Sequence, residues 1–85
     1  MRVTQKFSYT NRTRHKQLVI VEPWAWEYWI EPDDPVDVEV RGGSPEGHLE
    51  IEQTTQGLII HGWTGTLVSI LRDGEEIPPS PQLPR

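Results

Sequence analysis

Between Val36 and Arg41 the chain reads Val-Asp-Val-Glu-Val-Arg, with apolar and charged residues alternating without a fault. Successive side chains of an extended strand point to opposite faces, so this order buries three valines and leaves three charges in water; on a helix it would scatter both around the axis. The period of two recurs along nearly the whole chain. In the segment from Val3 to Tyr9, Val3, Phe7 and Tyr9 oppose Lys6 and Ser8. His48-Leu49-Glu50-Ile51-Glu52 alternates again, and Leu58 to Trp63 and the β-branched run from Thr66 to Arg72 read as further strands. Leu18-Val19-Ile20-Val21 is apolar throughout, as in a central strand covered on both faces. No segment carries a helical period.

The breaks between these runs are turn-forming. Pro23 has no amide proton for a ladder, Glu31-Pro32-Asp33-Asp34-Pro35 and Gly42 to Gly47 are loops by composition, and Gln53 to Gly57 and Thr64-Gly65 are turns. Asp73-Gly74 is the strongest hairpin signal, joining Thr66 to Arg72 with a short Glu75-Glu76-Ile77. About seven short strands in this rhythm predict an all-β fold, a small antiparallel β-sandwich of immunoglobulin-like or similar topology. One domain is expected over residues 1–77. Residues 78–85 hold four prolines and are expected to be a flexible proline-rich tail.

A chain of 85 residues forms one domain with a thin core. Four Trp, two Tyr and one Phe therefore carry much of the apolar area. The absence of Cys excludes disulfides, Cys-ligated zinc, iron–sulfur clusters and a thiol nucleophile. Met1-Arg2-Val3-Thr4-Gln5-Lys6 leads into no apolar run of signal-peptide length, and nothing approaches a membrane span, so a cytoplasmic location is expected. Asn11-Arg12-Thr13 matches a glycosylation sequon and reads more simply as a turn.

The formal charge of −5 conceals a split. Residues 1–16 carry Arg2, Lys6, Arg12, Arg14 and Lys16 and no acid, whereas all 13 acids lie in residues 17–77 beside only Arg41 and Arg72. A net acidic domain repels phosphate backbones, which argues against nucleic acid as a partner. The basic arm is expected to lie beside acidic strands of its own sheet.

Phe7 with Asn11-x-Thr13, an apolar strand, Glu22-Pro23-Trp24, Tyr28-x-Ile30-x-Pro32 and the Val36-x-Val38-x-Val40 strand resemble small uncharacterised bacterial β-sandwich proteins. The same rhythm is similar to immunoglobulin-like and cupredoxin-like domains. The resemblance implies a sandwich and no chemistry. With no Cys, and no Met beyond Met1, a blue-copper site cannot be assembled.

Candidate contact residues come from the aromatic cluster. Alternation places Trp24, Trp26, Tyr28 and Ile30 on one face, and Ala25, Glu27 and Trp29 on the other. Trp24, Trp26, Tyr28 and Trp29 lie within six residues and are binding candidates as a stacking platform for a sugar ring or a proline-rich peptide; the competing reading is that the first face supplies large side chains to a core that needs them. Trp29, opposite it, is the expected surface contact, and Trp63 is a second candidate. His48, Glu50 and Glu52 fall on one face of a strand, with His61 on a neighbour, but a zinc site needs three or four converging ligands, so no metal is assigned there. The acidic turn Glu31-x-Asp33-Asp34 lacks the alternating ligands and central Gly of an EF-hand loop. No nucleophile stands in a recognisable setting with a base.

The expectation is a non-catalytic binding module with no cofactor, using an exposed sheet face and meeting a protein partner or a second copy of itself. A carbohydrate-binding module built on the same tryptophans is the alternative. A small metal-dependent enzyme around His48, Glu50, Glu52 and His61 is the third reading.

Overall fold

The computed structural model of the chain describes residues 2–80. They form eight strands: β1 (Val3–Thr10), β2 (Gln17–Glu22), β3 (Trp26–Ile30), β4 (Pro35–Gly42), β5 (Glu50–Gln53), β6 (Gly57–His61), β7 (Thr66–Arg72) and β8 (Glu75–Glu76). Among the described residues no helix is long and apolar enough to cross a membrane. The strands make two four-stranded sheets, ordered β1-β4-β7-β8 and β3-β2-β6-β5, which pack face to face as a small β-sandwich.

The alternation of β4 is realised in full. Val36, Val38 and Val40 are buried, and with Val68 and Ile70 of β7 they meet Val19 and Val21 of β2, Tyr28 and Ile30 of β3, and Leu58 and Ile60 of β6. Lys6 of β1 lies 3.9 Å from Glu39 of β4, and Ser8 donates a 2.9 Å hydrogen bond to Asp37, so the basic arm does lie against an acidic strand. At the Asp73-Gly74 turn both residues have positive φ, and Leu71 and Arg72 pair with Glu76 and Glu75.

Several details depart from the expected arrangement. β2 and β6 run parallel, from Leu18↔Gly57 to Glu22↔His61, so the sandwich is not purely antiparallel. The strand order differs from the A-B-E-D and C-F-G sheets of an immunoglobulin constant domain. The parallel pair begins where the Leu18 amide donates to the Gln56 carbonyl at 2.7 Å. Gly57 has φ +150°, and a β-carbon there would overlap the Leu18 carbonyl. Period two fixes the face a residue takes and is silent about the direction of the neighbouring strand.

Strands β3, β5 and β6 also fall short of the bounds the pattern predicts. Residues 23–25 form a turn, with Ala25 at φ 60° and a cis Glu22–Pro23 bond, so β3 starts at Trp26 and Trp24 lies outside it. β5 starts at Glu50, which leaves His48 in the preceding loop. Its partner β6 ends at His61, because the Gly62 amide turns to the Glu22 carbonyl at 2.9 Å, and residues 48 and 49 have no strand to pair with.

At one end of the sandwich the loops are locked by side chains. Asn11 is buried; its Nδ2 donates to the carbonyls of His15 (2.8 Å) and Ile30 (2.9 Å), and its Oδ1 accepts from the Thr13 amide and hydroxyl. The segment is thus a turn, with its amide group committed inside the fold. The acidic turn is held by Arg72, whose Nε and Nη2 donate to the two carboxylate oxygens of Asp34 at 3.1 and 2.6 Å.

The two lateral sides are finished differently. After β8 the Ile77 amide donates to Ile70, and the Ser80 amide then donates to the Glu27 carbonyl of β3 at 2.6 Å. The chain therefore crosses from the edge of one sheet to the edge of the other, along the start of the proline-rich segment; residues 81–85 lie outside the described residues. β1 and β5 are the edges of the opposite side.

Candidate binding surface

The outer face of the β3-β2-β6-β5 sheet is set by register. One row across it reads Trp29, Leu18, Gly57; the next reads Glu27, Ile20, Ile59, Glu52; the third reads Glu22, His61, Glu50. β2 and β6 are central strands and put apolar side chains on both faces, so Leu18, Ile20 and Ile59 form a band on the outside of the sheet. Trp29 stands at its β3 end and is 48% exposed. Leu18 is only 8% exposed although it faces outward, in register between Trp29 and the bare Gly57. Four carboxylates, Glu22, Glu27, Glu50 and Glu52, border the band. His61 is the one imidazole among them, with its Nε2 3.3 Å from Glu52 Oε1.

The remaining aromatic candidates are placed elsewhere. Tyr28 is buried in the core, where burial and, secondarily, the Glu76 carboxylate raise its hydroxyl pKa above the usual phenol value. It takes no part in an exposed surface. Trp24 and Trp26 stack at 4.9 Å between centroids with 16° between planes, and both pack against the core. They stack across the turn, although alternation had put them side by side on one strand.

Trp63 is half-buried and wedged under the 43–47 loop. Its Nε1 donates to the Ser44 carbonyl at 2.9 Å, and its amide donates to the Thr66 hydroxyl at 3.0 Å. The indole fills the space that side chains on the loop would need: a β-carbon on Gly43 would lie 2.6 Å from Trp63 Cζ2, and one on Gly47 would overlap the ring. Trp63 thus anchors a loop. Its sequence signal was the glycine spacing at 43 and 47, residues far from Trp63 along the chain.

His48, Glu50, Glu52 and His61 are only partly brought together. Glu50 and His61 are register partners and Glu52 reaches His61, while His48 lies outside the strand. Among the described residues no three His, Asp or Glu side chains are grouped to hold a metal ion.

Comparisons with protein-family models, curated proteins and solved structures returned no match to this chain.

Proposed function

We propose that this protein is a non-catalytic interaction module whose contact surface is the outer face of the β3-β2-β6-β5 sheet. The observation that supports this reading is the exposed Trp29 indole at the end of an apolar band on the outside of a sheet. Exposed aromatics bordering apolar surface characterise contact sites, because an indole contributes large area at little entropic cost. The carboxylate border selects the partner chemistry: a protein segment offering apolar side chains flanked by Lys or Arg.

The test is a titration of the protein with synthetic peptides of alternating Lys and Leu, followed by the Trp29 indole resonance in NMR. Saturable shifts of the Trp29 indole and of the Ile20 and Ile59 methyls support the reading when Trp29→Ala, with its other resonances in place, abolishes the saturable shifts of those methyls. If soluble oligosaccharides move the indole and the peptides do not, the surface is a sugar-stacking platform. If neither moves it, the face is not a contact surface for either class.

A further inference from the structure

β1 and β5 each end a sheet on the same side of the sandwich, and among the described residues no strand lies on their outer flank. Free edges expose backbone donors and acceptors that natural sheets cover, charge or interrupt. On the opposite side the chain itself reaches the β3 edge, where the Ser80 amide donates to the Glu27 carbonyl. Here two of the four large apolar residues that are exposed among the described residues, Val3 (44%) and Ile51 (47%), lie on the two edge strands. Ile51 is the register partner of the fully buried Ile60 and so faces inward, yet stays half in water. The edges also differ in charge: residues 2–16 contain no acid, whereas β5 carries Glu50 and Glu52, and no Lys or Arg lies between Gly42 and Leu71.

We propose that a second copy of this chain covers this side, in a two-fold dimer in which β1 of each protomer pairs with β5 of its partner. Both strands run toward the same end of the sandwich. β1 runs into the 11–16 loop, and β5 into the 54–56 turn that meets the start of β2. A two-fold axis parallel to the strands therefore sets β1 beside the partner's β5, in parallel, and repeats the contact by symmetry. Each sheet then continues into the other sheet of the partner, and the outer faces stay together. Lys6, on the outer face beside Glu39, and Glu52, on the outer face beside Ile59, come to share one surface. The irregularity between Val3 and Gln5 limits the ladder to the stretch beyond it, which still exceeds the four residues of β5. The other two-fold, with its axis normal to the sheets, pairs β1 with β1 and β5 with β5. It places like charges opposite one another, which destabilises strand pairing, and charge complementarity decides between the two. The contact lies at the β5 end of the sheet, opposite the β3 end that carries Trp29, and the two surfaces share Glu52 at the border of the apolar band.

The test is sedimentation equilibrium from micromolar to millimolar protein, with the fold of each variant checked by tryptophan fluorescence. Wild type is expected to dimerise and to dissociate as salt is raised. Because symmetry repeats each contact, Lys6→Glu is expected to weaken the dimer about tenfold. Glu52→Lys does the same, and an equal mixture of the two variants regains affinity. The natural lack of Cys allows a clean geometric check: Lys6→Cys mixed with Glu52→Cys is joined across chains by a short bis-maleimide, while Lys6→Cys alone is not. A wild type that stays monomeric at millimolar concentration overturns the proposal. So does efficient joining of Lys6→Cys to itself, which would show the like-with-like arrangement.

Discussion

Trp29 and Trp63 flank the same sheet and have opposite surroundings. Trp29 projects from an edge strand with only backbone regularity to place it, and half of it remains in water. Trp63 sits just beyond β6, pinned by a hydrogen bond to Ser44 and roofed by two glycines. The difference lies in the partner segment. An indole becomes structural when a loop lacking side chains can close on it, and remains available when it stands on an open face. The surroundings, and not the residue type, separate an anchor from a contact.

That contrast can be broken by measurement. The largest effect is expected for Trp63→Ala, which removes the loop anchor and should cost about 3 kcal/mol in urea unfolding. Gly47→Ala keeps the indole and fills its space; a loss of about 2 kcal/mol is expected, with Trp63 emission moving to longer wavelength. Trp29→Ala should stay within about 0.5 kcal/mol of wild type. A Trp29→Ala loss as large as that of Trp63→Ala would make both residues structural and remove the distinction. The smallest effect is the response to alkali. Burial raises the pKa of Tyr28, helped by Glu76, and that of Tyr9. The folded state therefore holds these protons longer than the unfolded chain does, and binds more of them above about pH 10. Stability should be intact below that pH and decline as pH rises toward the folded-state values, with phenolate absorbance lagging that of free tyrosine. Tyr28→Phe should flatten the decline if Tyr28 is its main source.

Much of this architecture was legible in the chain because it depends on neighbours in sequence. The alternation of Val36 to Arg41, the Asp73-Gly74 hairpin and the opposite facing of Trp29 and Tyr28 follow from a two-residue period. What was not legible depends on residues far apart. Nothing local says that Leu18 meets Gly57 in a parallel pair, that Asp34 waits for Arg72, or that Asn11 caps Ile30. Pro23 marks the break, but Trp24 and Ala25 read as strand because a bulky tryptophan is a poor turn signal, while the chain turns through residues 23–25. The candidate surface was half visible: Trp29 was placed correctly by alternation, but the band beside it exists only once β2 and β6 are neighbours.

The parallel β2–β6 pair has a kinetic side. Among the described residues the local pairings are three hairpins, β2–β3, β5–β6 and β7–β8; they are joined into sheets by β1 with β4, β4 with β7, and β2 with β6. Isolated hairpins are marginal in water, so a chain emerging from the ribosome holds little lasting structure until β6 and β7 have been made. Loop closure over such separations precedes any reward from burial, which places folding in the slow range of all-β domains, milliseconds to seconds, and makes it all-or-none. Refolding followed by tryptophan fluorescence and by far-ultraviolet circular dichroism should give one common rate. Fragments ending before His61 should show no cooperative unfolding at all.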